Sequence, residues 1–431
     1  MGKGIGRKIV NDPVHGFITI PNDLVFRLLQ HPLFQRLNRI KQLGLAGFVY
    51  PGAQHTRFQH SLGAMHLTFE AIKNLRLKGH DITIHEEEAV LAAMLLHDVG
   101  HGPFSHVLEN TLVNNISHED ISLLIMKKIN GEMDGALTLA IDIFEDKYPK
   151  HFLHQLISSQ LDMDRIDYLC RDCFYTGVTE GAIGADRIIN MLNVHNDRLV
   201  VESKGIYSIE NFLIARRLMY WQVYLHKTSV AAERLLINIL DRARELVLTG
   251  KQLHASKPLL FFIKNSPDKA TFESNSDALE YYSRLDDYDV ISAIKEWCTS
   301  DDRILNLLSN CFINRKLYKA KPADEMSTAE IQSLVNHYYT TYKISEAELR
   351  YFITDNIVKS NTYNPEVANI MILFKDGRLE DVSKASDMLN VDMLSHTTEK
   401  KYIFYLPKIE IRIHGIFYQT DCRFLECGNS R

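Results

Sequence analysis

The sequence predicts a mainly α-helical protein with a smaller C-terminal α+β lobe, and three observations lead to this class. Apolar residues make up 45% and charged residues 24% of the 431 positions, which is typical of a globular chain with a large buried core. Helical periodicity dominates most of the chain before residue 320. Beyond that point Ile, Tyr and Phe become frequent. We therefore predict a helical core over 1–320 and an α+β lobe over 321–431.

The strongest helical patterns lie in two neighbouring segments. In "HSLGAMHLTFEAIKNLRLKG", Leu62, Phe69 and Leu75 fall on one face, and Gly79 provides a C-terminal stop. The next segment, "EEEAVLAAMLLHD", begins with acids that suit the helix dipole and continues with an almost wholly apolar body. We expect this second helix to be central and buried. Further helical patterns cover 119–130, 152–172, 183–193, 208–249, 277–285, 288–298 and 302–311.

Two segments of the C-terminal lobe predict strands. They are "EVANIMILFKDG" and "KKYIFYLPKIEIRIHGIFYQT", in which aromatic and β-branched residues partly alternate with polar ones. Such residues suit a pleated, half-buried surface. The lobe is therefore expected to contain a small sheet.

Composition excludes several classes of protein. No window approaches 18 consecutive apolar residues and the start lacks an apolar signal core, so we expect a cytoplasmic protein without a membrane span. Six cysteines are sparse for this length and indicate reduced thiols. Cys170 and Cys173 form a C-x-x-C, but no second pair follows at zinc spacing. A net charge of −5 disfavours a protein that coats nucleic acid.

The segment "LLHDVGHGPFSH" crowds polar groups where the buried helix should end. Gly100, Gly102 and Pro103 stop the helix, which places His97 and Asp98 on its last turn at the wall of a cleft. Buried His and Asp side chains need polar partners. A metal ion satisfies both, because neutral imidazole and carboxylate are good ligands for first-row transition metals.

A His-Asp pair alone is weak evidence, and the chain supplies its own control. His80-Asp81 is another such pair, but it follows Gly79 in a polar loop and has no histidines after it. By contrast, "HTRFQHS" opens the helix before the buried one, and "DMDRIDYLCRDC" packs four acids among apolar residues. Together these segments provide a set of metal ligands suited to one divalent Fe, Mn, Ni, Co or Zn ion rather than Ca, namely His60, His97, Asp98 and Asp164.

At these residues the chain resembles the HD superfamily of metal-dependent phosphohydrolases. The motifs "NDPVHGFITI", "HPLFQRLNRIKQLG", "YPGAQHTRFQHSLG", "LLHDVGHGPFSH" and "MDRIDYLCRDC" are similar, in order and spacing, to the deoxynucleoside triphosphate (dNTP) triphosphohydrolases related to the SAM-domain-linked human enzyme. The similarity is specific over 8–235, and no SAM domain is visible in this sequence. It implies an HD-domain helical core, a dNTP substrate and a homo-oligomer, and it allows Mg²⁺ as an additional ion.

The resemblance also implies roles for individual residues. His118 matches a proposed catalytic histidine, Glu109 stands at the position of its carboxylate partner, and His101 and His106 match histidines around the α-phosphate. The implied substrate-binding residues are Arg57, Arg165, Arg216 and Tyr168 for phosphate, Gln42 and Asp172 for the sugar 3′-hydroxyl, and Tyr224 against the sugar ring.

The chemistry of these residue types is consistent with that assignment. A triphosphate requires cations around it, and arginines next to a metal ion meet this requirement. The pKa of a histidine suits proton transfer near neutral pH, and a nearby carboxylate orients its ring.

The chain departs from the family at the nucleotide activator site. Positions that hold an aspartate and an arginine in the SAM-linked enzyme read Gln30 and Asn38 here, which puts guanine recognition in doubt. The basic segment "NRKLYK" resembles part of a second regulatory pocket, so Arg315 and Lys319 are candidates to meet a nucleotide activator.

Three classes of function follow. The leading interpretation is an enzyme that cleaves a dNTP to deoxynucleoside and triphosphate. An alternative keeps the metal site but acts on a signalling nucleotide or a monophosphate. The third is a non-catalytic nucleotide-binding regulator. The complete ligand set argues against this class, because a pure binding protein needs neither an open metal position nor a proton shuttle.

Overall fold

The computed structural model describes residues 8–109, 111–360, 369–386, 398–408, 412–413 and 416–417. Over these ranges the protein is mainly helical with small sheets toward the C-terminus, which confirms the predicted class. Its buried apolar side chains form one contiguous core from Ile18 to Leu406. Four cysteines in the described ranges are free thiols, and Cys422 and Cys427 lie outside those ranges. No described helix is long and apolar enough to cross a membrane.

An N-terminal hairpin, which the sequence analysis did not predict, precedes the helices. Strand β1 (Lys8–Asp12) pairs antiparallel with β2 (Gly16–Ile20). The Asp12 carboxylate accepts hydrogen bonds from the backbone N–H groups of Val14 and His15, and Gly16 adopts a φ of +72°. These features close the turn. Five residues per strand are too few for alternation to stand out from the helical background.

The predicted central helix is confirmed. Thr83 caps its N-terminus in a capping box with Glu86, and every residue from Ala89 to Leu96 is buried in the core. The helices of this first part of the chain are α1 (Asp23–Gln30), α2 (Pro32–Gln35), α3 (Arg57–Leu77), α4 (Ile84–Leu96), α5 (His106–Glu109), α6 (His118–Glu132) and α7 (Thr138–Phe144).

Two long helical patterns are interrupted in the structure. The pattern over 152–172 becomes α8 (His151–Gln155) and α9 (Met163–Thr176), because Asp162 caps a new helix by accepting from the Arg165 N–H. The pattern over 208–249 becomes α11 (Ile206–Met219), a π-helical turn at Tyr220–Tyr224, and α12 (Lys227–Leu248). Helix α10 (Ala185–Met191) lies between these pairs. The two interruptions place polar side chains of the candidate site at helix ends, namely Asp164 and Arg165 at the start of α9 and Tyr224 in the π-helical turn.

The remaining helices follow the predicted periodicity. The patterns over 277–285, 288–298 and 302–311 correspond to three consecutive helices that begin at asparagine or aspartate caps. The helices are α13 (Lys257–Asn265), α14 (Lys269–Ser274), α15 (Ser276–Ser283), α16 (Asp287–Trp297), α17 (Arg303–Ile313), α18 (Thr328–His337) and α19 (Val382–Ala385).

Both segments predicted as strands contain strands in their described residues, including β7 (Met371–Leu373). Positions 366–368, 409–411, 414–415 and 418–420 of these segments lie outside the described residues. Two of the strands pair with partners from elsewhere in the chain, among them β4 (Arg198–Glu202). Strand β7 pairs in parallel with β4, so a C-terminal strand extends a hairpin that belongs to the helical part. The sheets have the orders β3-β4-β7-β8, β5-β9-β6 and β10-β11, with β3 (Leu192–His195), β4 (Arg198–Glu202), β5 (Lys319–Pro322), β6 (Ile353–Ser360), β7 (Met371–Leu373), β8 (Leu379–Asp381), β9 (Thr398–Tyr405), β10 (Arg412–Ile413) and β11 (Ile416–Phe417).

Gly100 allows α6 to approach the end of α4. A Cβ atom at this position would lie 2.1 Å from the His118 carbonyl oxygen and 2.3 Å from the Ser122 nitrogen. The Gly100 N–H donates to Ser122 Oγ at 2.9 Å. The glycine therefore serves close packing between these elements.

We expect Gly100→Ala to destabilise the protein by about 1–3 kcal/mol or more, because the added methyl group overlaps backbone atoms that cannot move independently. Urea denaturation measures this change. Gly131→Ala is the matched control, since its Cβ would meet nothing within 4 Å inside α6. It should stabilise the helix by a few tenths to about 1 kcal/mol. Equal effects of the two substitutions would contradict the packing role of Gly100.

Candidate active site

The four predicted metal ligands converge at one point. His60 lies in the first turn of α3, His97 and Asp98 directly follow α4, and Asp164 lies in the first turn of α9. His60 Nε2 and His97 Nε2 lie 3.0 and 3.5 Å from Asp164 Oδ1. The same two nitrogens lie 3.7 and 3.3 Å from oxygens of Asp98. Ligand atoms bound to one metal ion at about 2.0–2.2 Å have comparable separations from one another.

The protonation of the two histidines also suits a metal ion. His60 Nδ1 donates to Asp167 Oδ2 at 2.8 Å, and His97 Nδ1 donates to the Met94 carbonyl at 2.6 Å. Each ring thereby directs its Nε2 lone pair at the centre of the cluster. Both Nε2 atoms are buried and face the carboxylate oxygens of the cluster without making a well-aligned hydrogen bond to a described atom. A divalent cation satisfies such atoms, so the residues fit the predicted metal.

The cluster carries an excess of negative charge. Burial alone would lower the pKa of His60, but the carboxylates of Asp164 and Asp167 outweigh burial and raise this pKa to about 10. Burial would likewise raise the pKa of Asp98, yet His97 and Arg57 hold it well below its usual range. Without a cation the acids hold a proton on His60. A metal ion neutralises the same charge and leaves the imidazole free to act as a ligand.

His60, His97 and Asp164 form one compact group of candidate ligand atoms, and the neighbouring Asp98 belongs to a second group. The ligand atoms of Asp98, His101 and His118 lie within 4.8 Å of one another. The rings of His101 and His118 stack with centroids 3.9 Å apart, and His118 Nδ1 contacts Glu109 Oε1 at 2.6 Å. The His118–Glu109 pair expected from the resemblance is thus formed. His106 begins α5, and its side chain lies outside the described part of the structure.

Two of the predicted phosphate-binding arginines border this metal cluster. Arg57 pairs with the ligand Asp98 and donates to Ser105 Oγ from Nε and Nη2, at 2.9 and 2.6 Å. Arg165 donates from Nε to the Ser159 carbonyl at 2.7 Å, and this hydrogen bond restrains the Arg165 side chain. Arg57 and Arg165 both line a cavity next to the candidate metal ligands.

Arg216 differs from the other predicted phosphate ligands. It is buried, donates to Gln160 Oε1 at 2.9 Å, and does not line the cavity in the described structure. The cavity has a volume of about 870 Å³. The predicted site residues that line it are Gln42, Arg57, Asp98, His101, His118, Asp164, Arg165, Tyr168, Asp172 and Tyr224.

The predicted sugar-binding residues form a second polar group along the cavity wall. Asp172 accepts from Tyr224 Oη at 2.8 Å through one carboxylate oxygen and from His55 Nε2 at 2.7 Å through the other. His55 stacks on Tyr175, with ring centroids 4.4 Å apart. The Oε1 atom of Gln42 is buried without a hydrogen-bond partner. Sequence reasoning missed His55, although it opens the "HTRF" segment.

The residues proposed for nucleotide regulation lie outside the cavity. Gln30 is exposed at the end of α1, and Asn38 is exposed in the segment that follows α2. Arg315 donates to the Phe48 carbonyl from Nε and Nη2 at 3.2 and 2.8 Å, and Lys319 is exposed at the start of β5. A nucleotide activator site at Arg315 and Lys319 stays a prediction, whereas Gln30 and Asn38 are the positions at which the chain departs from the activator site of the SAM-linked enzyme.

Comparison with known proteins identifies the family. Residues 57–172 match the HD domain, and residues 183–260 match the HD associated region. The uncharacterized protein YwfO of Bacillus subtilis is 32% identical over 430 residues, covering 94% of each chain. The chain belongs to the HD-domain family. All four candidate metal ligands lie within the matched HD domain.

Two further similar proteins bear on function. The crystal structure of a phosphohydrolase from Bacteroides thetaiotaomicron is 55% identical, superposes with a TM-score of 0.89, and covers 93% of this chain and 100% of its own. A deoxynucleoside triphosphate triphosphohydrolase SAMHD1 homolog from Dictyostelium discoideum is 30% identical over 272 residues. That match covers 59% of this chain and 52% of the relative. The dNTP-specific relative is therefore the more distant of the two.

We expect the protein to retain about one transition metal ion per chain when purified without chelators, because two neutral imidazoles and two carboxylates suit such ions. Elemental analysis provides the measurement. Asp98→Ala should remove most of the metal. His80→Ala and Asp81→Ala are controls, since His80 contacts Asn193 instead and the Asp81 side chain is 90% exposed. If wild-type protein is purified without metal and then binds none of the added ions, the proposed site is ruled out.

Proposed function

We propose that this HD-domain protein is a metal-dependent phosphohydrolase that cleaves a dNTP to deoxynucleoside and triphosphate. The observation that carries the proposal is the order of groups along one cavity. Two of the candidate metal ligands, Asp98 and Asp164, line the cavity together with two arginines. The polar group of Gln42, Asp172 and Tyr224 lines it as well, with Asp172 two turns along α9 from Asp164. A nucleoside triphosphate has the same order of chemistry, with anionic phosphates joined to a hydroxylated sugar. The relative named as a dNTP triphosphohydrolase supports the same substrate class.

Unsatisfied polar atoms support a ligand with this distribution. Buried atoms without hydrogen-bond partners include the metal-facing nitrogens of His60 and His97 at one part of the site and Gln42 Oε1 at the other. Ser229 Oγ, which also lines the cavity, is buried and lacks a partner as well. Buried polar atoms are normally hydrogen-bonded, so a bound ligand is a natural partner for them.

The proposed reaction is attack of water on the α-phosphorus with cleavage of the bond to the 5′-oxygen. A bound divalent cation would polarise the phosphoryl oxygen. Arg57 and Arg165 would hold the phosphate charge. His118, oriented by Glu109, would accept a proton from the attacking water and donate a proton to the departing 5′-oxygen. The products are a deoxynucleoside with a free 5′-hydroxyl and an intact triphosphate. A nucleotide activator and a homo-oligomer are further proposals that rest on the family resemblance.

His118→Ala should lower kcat by about 10²–10⁴-fold, which is the usual contribution of a general acid–base group. Metal content should stay at the wild-type level, because the four proposed primary ligands are intact. Glu109→Gln should lower kcat less, since it weakens ring orientation without removing the imidazole. Steady-state kinetics with parallel elemental analysis measures both effects. An unchanged rate in His118→Ala would assign His118 a structural role.

Substrate and product together test the proposed reaction. With Gln42 and Asp172 on the 3′-hydroxyl and Tyr224 against the sugar, a ribose 2′-hydroxyl would lack both space and a partner. dNTPs should therefore react roughly 10²-fold faster than the matching NTPs, judged by kcat/KM. Ion-exchange chromatography of the products should show intact triphosphate. Equal cleavage of ATP and dATP, or release of orthophosphate, would favour a signalling nucleotide or a monophosphate as the substrate.

A further inference from the structure

The N-terminal hairpin reaches the metal centre through a buried network of charged side chains. Arg171, on α9, donates to Asp167 from Nε at 2.9 Å and from Nη2 at 3.0 Å. Arg171 also donates to Asp12, at the end of β1, from Nη1 at 2.8 Å. His15, in the hairpin turn, donates from Nε2 to Asp167 at 2.6 Å. The side chains of Arg171 and Asp167 are completely buried, and that of Asp12 nearly so.

Asp167 is the point at which this network meets the metal ligands. Its Oδ2 accepts from His60 Nδ1 and Arg171 Nε, and its Oδ1 accepts from His15 and Arg171 Nη2. An ionised carboxylate offers about four acceptor positions, so all of them are used. The direction of the His60 ring therefore depends on a carboxylate that His15 and Arg171 hold in place.

The approach of α3 to this network requires a glycine. A Cβ atom at Gly63 would lie 2.0 Å from Asp167 Oδ1 and 2.2 Å from Arg171 Nη2. Gly63 follows His60 by one turn of α3. The chain thus leaves space at this position for the charged groups rather than for an apolar side chain.

Asp12 of the hairpin has two roles in the network. Asp12 closes the turn by accepting from the N–H groups of Val14 and His15, and it balances the charge of Arg171. The turn conformation and the buried ion pair therefore depend on one carboxylate. Closing the turn also brings His15 to Asp167. This accounts for Asp12 and His15 in the "NDPVHGF" segment, which the proposed reaction leaves without a role.

We propose that the N-terminal hairpin is a positioning element of the metal centre, in which Asp12 and His15 act through Asp167 to orient the ligand His60. Groups that orient a metal ligand typically change metal affinity by about 10–100-fold when they are removed. Asp12 and His15 do not belong to the groups of candidate ligands and do not line the cavity in the described structure. The inference concerns metal affinity alone and does not depend on which nucleotide is hydrolysed.

Binding of Co²⁺ to the full chain tests this role. The dissociation constant is measured by competition with a chelator, and the visible absorption of bound Co²⁺ reports ligand geometry. His15→Ala should weaken Co²⁺ binding by about 10–100-fold and alter the spectrum. His15→Gln should recover most of the affinity, because its amide N–H can still donate to Asp167. His80→Ala is the matched control, since it removes a hydrogen-bonded histidine beyond the far end of α3, and it should leave both readouts unchanged.

A purely structural hairpin would give a different pattern. His15→Ala would then lower the melting temperature of the metal-free protein while the Co²⁺ dissociation constant stays within about twofold of wild type, and this result would overturn the proposal. Equal weakening by His15→Ala and His15→Gln would overturn the role of the hydrogen bond. If His15→Ala does not fold, Asp12→Asn replaces it. That variant keeps the side-chain size but removes the charge opposite Arg171, and an unchanged Co²⁺ affinity would equally refute the proposal.

Discussion

The structure depends on the requirement that two carboxylates and two imidazoles, three of them buried and Asp164 partly buried, be held together without unbalanced charge. Asp98 and Asp164 face His60 and His97 from the ends of different helices. Such a cluster is costly to bury unless a cation and surrounding donors compensate for its charge. Arg57 pairs with Asp98, and Asp167 accepts from His60, so these two candidate ligands each have a charged partner outside the cluster. The packing of α3 against α4 and α9 holds these groups next to one another.

Close packing at glycines makes that arrangement possible. Gly63 admits Asp167 and Arg171 to the surface of α3, and Gly100 admits the start of α6 to the end of α4. Neither glycine has a positive φ, so their value lies in the missing Cβ rather than in unusual backbone conformation. The second contact brings His118 next to His101. The same packing therefore positions both the candidate ligands and the candidate proton-transfer residue.

The cavity contains two chemically different regions, one at the metal ligands and one at Asp172 and Tyr224. Each region lies where a long helical pattern of the sequence is interrupted in the structure. The start of α9, at Asp162, places Asp164 and Arg165 at the metal end, while Tyr168 and Asp172 continue along the same helix. The π-helical turn at Tyr220–Tyr224 brings Tyr224 to Asp172. π-Helical turns are common at functional sites because they shift side chains out of the regular helical register. In this protein one helix spans the proposed phosphate and sugar regions, and the π turn closes the second of them.

Local sequence determined the helical class, the burial of α4 and the residue types of the candidate metal ligands. Periodicity, helix caps and ligand chemistry each depend on residues that lie close together in the sequence. His97 and Asp98 could be placed at a helix end from Gly100 and its neighbours. Tertiary structure decided what these segments meet. The pairing of Asp12 with Arg171, of His55 with Asp172 and of β4 with β7 joins residues far apart in the chain. Periodicity also missed the breaks at Asp162 and His226, where capping by polar side chains outweighs a continuous helical pattern. Contacts of this kind depend on which surfaces pack together, and no local pattern encodes that choice.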